Sequence, residues 1–159
     1  MKALSLTQPW ASLIAIGAKR IETRSWETRY RGRLAIHAAT GFPNDAKRLC
    51  LEHPFLDMLY PAGLVGAGSL PLGAIVAVAV LRSVREIAAD LPSAYGEAFP
   101  NAVWHTAGEV PFGDYAPGRF AWLLDGVVRL PEPIPCKGAL GLWIVPSVVA
   151  NQIPLEACR

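Results

Sequence analysis

A chain of 159 residues that is 52% hydrophobic, carries five Trp and is only 18% charged can bury a full core and is too apolar for wholesale disorder. Its net charge of +2 falls short of the strongly basic balance of a dedicated DNA binder, and its three cysteines, Cys50, Cys136 and Cys158, are too scattered for a disulfide framework or a zinc site. The average hides a polarity, since residues 1–48 hold nine Lys and Arg against three acids while residues 49–159 hold six against ten, a skew that suits an anionic ligand.

Taken in order, residues 3–6, ALSL, alternate weakly and read as a first strand. TQPWASLIAIG predicts a helix of about two turns, with Pro9 in the first turn and Thr7 or Gln8 as cap. Trp10, Leu13 and Ile14 keep helical spacing, and Gly17 is the stop. IETRSW, 21–26, alternates as a strand, which places Glu22, Arg24 and Trp26 on one face and Ile21, Thr23 and Ser25 on the other. After a turn at 27–32, RLAIHAA, 33–39, is the next strand, with Leu34, Ile36 and Ala38 inward and Arg33, Ala35 and His37 opposite. Residues 43–60 predict a helix interrupted near Pro54, and 63–73 a glycine-rich loop.

GAIVAVAVLRSV, 73–84, is apolar on both faces, as a buried central strand would be. Its apolar run is strand-sized rather than membrane-spanning. Residues 85–118, with four prolines, read as a lid or as a loop with short helices. Asp125-Gly126 predicts a hairpin turn between two apolar runs, and GALGLWIV, 138–145, the last strand. A tail, 146–159, is expected on the surface. The whole predicts a mostly-β α+β fold, a small barrel with two or three flanking helices. MKALSLTQPW is too quickly interrupted to read as a signal peptide, so a cytoplasmic location is the expectation.

The chemistry concentrates in GAKRIETRSW, 17–26, where Lys19, Arg20, Glu22 and Arg24 crowd six positions of an otherwise apolar region. A lysine between a helix stop and a strand belongs at the barrel's rim. There it can contact phosphate or, once partly buried, act as base or nucleophile. Glu22 is its natural partner, and Arg24 can stabilise an anion or oxyanion. Trp26 beside these cations is either a stacking platform for a base or a core residue. Gln8 lies next to the same region and can read a base edge. Arg29, Arg31 and Arg33 alternate as a stripe that either tracks a nucleic-acid backbone or simply faces solvent. His37, on Arg33's side, is a candidate ligand or acid–base group, and Arg119 starts a strand from which it can face the cleft. No H-x-x-x-H or H-E-x-x-H occurs, the GAG near Ser69 is neither a nucleophile elbow nor a dinucleotide fingerprint, and no metal or cofactor is implied.

Gly17, Lys19, Glu22 and Arg24 spell G-x-K-x-x-E-x-R, which resembles the signature of the ASCH domain family. LSLTQPWASLI at 4–14, YRGRLAIHAA at 30–39, GAIVAVAVL at 73–81, FGDYAPGRFAWLL at 112–124 and KGALGLW at 137–143 extend the resemblance over residues 3–145, as in bacterial and phage members. The resemblance implies one PUA-like domain over 1–159 whose motif lines a cleft between barrel and helix. It also implies a role in RNA binding, transcription coactivation or RNA metabolism, with single-stranded RNA or a modified nucleoside as partner. One small bacterial branch of similar fold hydrolyses N4-acetylcytidine with a Lys and a Thr of the motif and a later Glu. Lys19 stands at that Lys, Glu22 at the Thr position, and Glu97 or Glu109 at the later acid. Three functions follow in order of preference: a binding module for RNA or a nucleoside, a nucleoside amidohydrolase or other RNA-directed hydrolase, and a protein-interaction domain.

Overall fold

The apolar run along 74–79 and the small and apolar residues along 34–38 set the middle of the fold, because these strands bury both of their faces. The computed structural model describes residues 1–87, 108–154 and 157. In chain order they form β1 (Lys2–Leu6), α1 (Trp10–Ala15), β2 (Ile21–Arg24), β3 (Gly32–Ala38), α2 (Asn44–Leu49), α3 (Phe55–Leu59), β4 (Ala74–Glu86), β5 (Phe120–Pro135), β6 (Leu142–Ile144) and α4 (Ser147–Ala150). Six strands make one sheet in the order β2-β5-β4-β3-β1-β6. Only β1 and β3 run parallel; the other ladders are antiparallel. The sheet curls into a half-barrel with a few helices, so the expected α+β class holds.

The concave side holds the larger core. Leu4, Leu34, Ile36, Val76 and Trp122 from the sheet meet Ala11 and Ile14 of α1 there. The predicted inward set of β3 is the observed one. Its opposite set, Ala35 and His37, faces a second core against Ala3, Ile75 and Val78. Val145, Val149 and Ile153 of the C-terminal segment are buried in that second core, so the segment packs onto that face of the sheet. Burial of each such aliphatic side chain contributes about 1.5–3 kcal/mol.

Three local expectations change. The Asp125-Gly126 pair is not a hairpin turn but a bulge within β5. Val80 pairs with Asp125 and Val78 with Val128, so β5 carries one extra residue, and Gly126 (φ +53) takes the left-handed conformation this needs. β2 ends at Arg24, which leaves Trp26 outside the strand. β4 continues through Glu86, so 85–86 belong to the sheet. Most of the stretch read as a lid or loop, 88–107 with Glu97, lies outside the described residues. The interrupted helix is observed as α2 and α3, with Pro54 just before α3.

Candidate functional site

Gly17, at φ +78, ends the helical segment in the left-handed region and turns the chain sharply inward. The amide of Lys19 then bonds the Leu13 carbonyl at 3.1 Å, which pulls the lysine under α1. Its side chain is fully buried rather than at the rim. The ammonium donates to the Ile21 carbonyl and pairs with Glu22 Oε2 at 3.3 Å. Burial without these partners would cost several kcal/mol, which is why the pair must form. The other oxygen of Glu22 receives Arg24 Nη1 at 3.5 Å. Arg24, with about a quarter of its side chain exposed (26%), is the solvent-facing end of this three-residue relay. Its guanidinium lies 5.8 Å from the Trp26 ring centre, and Trp26 packs edge-on against Trp122 at 4.7 Å.

β2 is an edge strand, and edge strands leave backbone amides unpaired. Glu109 fills that need: its Oε2 accepts the amides of Arg20 and Ile21 at 2.8 and 2.9 Å. Glu109, one of the two later acids considered, thus meets the motif, while Glu97 lies outside the described residues. It is only 3% exposed. Burial pushes its pKa above the ordinary 4.5, opposed by the two amides and by the charges of Lys19 and Arg20.

A cleft of about 370 Å³ opens beside this relay. Thr7 and Trp10 form one wall, Glu22 and Arg24 the floor, and Phe112 and Asp114 the other wall. The second wall is tied to β2, since the Asp114 amide donates to Thr23 Oγ1 at 3.0 Å. Arg119 braces it, donating from Nε to the Asp114 carbonyl at 3.0 Å and pairing with Oδ2 at 3.3 Å. Arg119 is thus a support of the cleft wall. Lys19 sits behind Glu22 and does not line the cleft.

Gln8 does not reach the ligand space. It is fully buried, its Oε1 accepts the Ser12 amide at 3.1 Å, and its Nε2 donates to the Pro71 carbonyl at 2.8 Å. Both ends are used in capping α1 and tethering the loop before β4. Arg33 and His37 lie on the other face of β3 from the cleft. The residues missed as cleft walls, Thr7, Phe112 and Asp114, carry no charge pattern; their only signal was membership of the TQPW and FGDY blocks.

His37 is buried in a closed network. A carbonyl only accepts, so Nε2 donates to Cys136 O at 3.1 Å, and Nδ1 accepts from the Ser5 hydroxyl at 3.1 Å. Ser5 Oγ in turn accepts the Trp143 indole at 3.1 Å. This fixes a neutral ring, and desolvation holds its pKa below 6.5, only partly offset by the Cys136 carbonyl. The neutral ring's contribution to stability is complete above pH 6.5 and is lost as pH falls below 6.5 toward the folded-state value. Urea midpoints should therefore drop between pH 7.5 and pH 5.5, and His37→Gln should flatten that drop. An unchanged slope in the variant would exclude His37 as its source.

Among the described residues no cluster of three His, Cys, Asp or Glu side chains could hold a metal ion, and no helix is long and apolar enough to cross a membrane. A half-barrel sheet with a charged helix–strand junction opening on a polar-floored cleft makes a small α+β domain, consistent with the PUA-like superfamily. The ASCH domain family model matches residues 4–115, and the chain belongs to that family, which is associated with RNA binding. Crystal structures of ASCH from Zymomonas mobilis share the fold. One superposes with a TM-score of 0.52 at 14% identity, covering 94% of this chain and 90% of that one. A point-mutant structure of the same protein gives 0.52 at 13%, covering 96% and 94%. Activating signal cointegrator 1 of Mus musculus is 66% identical over 38 residues, and that of Homo sapiens 56% over 41. These matches take in 24% and 26% of this chain, which covers only 6% and 7% of the length of those relatives.

Proposed function

We propose that this ASCH domain binds single-stranded RNA or a modified nucleoside in the cleft between α1, β2 and residues 111–114. The observation that carries the reading is the floor of that cleft, where one carboxylate, Glu22, is shared by two cations. Lys19, Glu22 and Arg24 together carry one net positive charge, Asp114 on the wall is paired with Arg119, and Arg24 is the member of the relay that solvent and ligand can reach. Phosphate or a base carbonyl would meet Arg24, and Glu22 would accept a base N–H. Trp10, partly exposed, supplies an apolar wall against which a base can pack, and Phe112, buried against Phe55, backs the opposite wall. The cleft volume suits one nucleoside rather than a duplex.

The expected result is binding of short single-stranded RNA that weakens with salt. Arg24→Ala should lower affinity about tenfold and reduce the log–log salt slope by about 0.7. Absence of saturable binding to RNA or nucleoside at low salt would overturn the reading.

A second reading, hydrolysis of N4-acetylcytidine to cytidine and acetate, is favoured by one observation: a buried acid of raised pKa, Glu109, stands near Lys19. In that reaction Glu22 takes a proton from the attacking water, Arg24 faces the developing oxyanion, and Glu22 returns the proton to N4 as the amide C–N bond breaks to release cytidine and acetate. Glu109 and Lys19 set the charge behind them. Chromatographic separation of cytidine from substrate tests it directly.

A further inference from the structure

A second cleft, of about 380 Å³, opens across helix α1 from the first. One side of it is aliphatic: Ile16 just after α1, Leu64 and Leu70 before β4, Val76 of β4 and Leu130 of β5. Leu64, Leu70, Val76 and Leu130 are all nearly buried there. No aromatic side chain lines it, so it offers a nucleobase nothing to stack on. Pro131 and Pro133, also lining it, withhold backbone donors along the β5 side.

The polar side chains of the lining are Ser12, Ser69 and Arg129, and of these only Arg129, an exposed residue of β5, carries a charge. Among the described residues its guanidinium makes no hydrogen bond or ion pair. Glu132, three positions along β5, does not pair with it. An uncommitted guanidinium beside an aliphatic slot matches an anion with an aliphatic tail, and guanidinium geometry fits carboxylate in particular.

We propose that this second cleft binds a small free carboxylate with an aliphatic tail of roughly five to eight carbons, a length in keeping with a pocket near the small end of ligand sites. The tail lies among Ile16, Leu70, Val76 and Leu130, and the carboxylate meets Arg129. This site is independent of the RNA cleft: Arg24 and Glu22 take no part in it.

The test is NMR titration of the methyl-labelled protein with hexanoate, hexanol and hexylamine. Hexanoate should saturate and move the methyls of Ile16, Leu70, Val76 and Leu130, with hexanol and hexylamine each at least about fivefold weaker, the scale of one partly exposed charge contact. Arg129→Ala should bring hexanoate down to the hexanol level. Gly68→Trp should block both, because a side chain there enters open space beside the slot without a clash. The proposal is overturned if hexanoate does not saturate, if hexanol binds the wild type equally well, or if the shifts cluster at Trp10 and Phe112 instead.

Discussion

Lys19→Met should lower folding stability by about 3 kcal/mol and weaken ligand binding, and the first loss should be partly recoverable without the second. The methionine fills the same length of buried space. What disappears is the ammonium that serves both the Ile21 carbonyl and Glu22. Glu22, itself only 6% exposed, is left with Arg24 as its remaining partner at 3.5 Å. An uncompensated buried carboxylate is the costly species, more than the missing bond. Converting it as well, in Lys19→Met/Glu22→Gln, should therefore restore part of the stability, so that the double variant loses at least about 1 kcal/mol less than the two singles added. Binding should stay weak in the double variant, because the carboxylate that holds Arg24 on the cleft floor is gone. Urea denaturation of the four proteins together with RNA titration gives both readings. Strict additivity would mean that Lys19 and Glu22 are not energetically coupled.

That cycle depends on a cluster legible from the sequence because it is local. Lys19, Glu22 and Arg24 fall within six positions, and a helix stop followed by a strand brings such neighbours together whatever the rest of the chain does. β3 and β4 were legible for a related reason: two-residue alternation and an unbroken apolar run each state which faces are buried. The depth of Lys19 was not legible. It depends on how sharply Gly17 turns the chain under α1, and the same residues could have left the ammonium at the rim. Gln8 was lost to the Pro71 carbonyl, a contact 63 residues away, and no local pattern announces it. Asp125-Gly126 supplies a left-handed glycine equally to a hairpin and to a bulge. The choice lies with β4, whose 13 residues need a long partner on that edge.

Glu109 is the most distant of these contacts, and its replacement makes the sharper second test. Glu109→Ala should cost about 2–4 kcal/mol and with it the binding site, because it leaves the amides of Arg20 and Ile21 buried without an acceptor. Glu109→Gln keeps an acceptor oxygen that can serve both amides, so it should lose less than about 1 kcal/mol and bind RNA as the wild type does. A site that needs Glu109 only to hold the edge of β2 is thereby restored by glutamine. If the cleft turns over N4-acetylcytidine and Glu109 moves a proton there, glutamine restores binding but leaves turnover down by about 10²–10⁴. The pH dependence carries the same distinction in stability. The folded-state pKa of Glu109 lies above 4.5, so its protonated form contributes stability that is present below 4.5 and is lost as pH rises through the folded value. Relative to Glu109→Gln, the wild type should therefore weaken on going from pH 4 toward neutrality, opposite in sign to the change from His37. A wild type that strengthened against the glutamine variant over that range would mean that the two backbone amides and the cations outweigh burial. Glu109 would then be a permanently charged anchor of β2 and could not donate a proton near neutral pH.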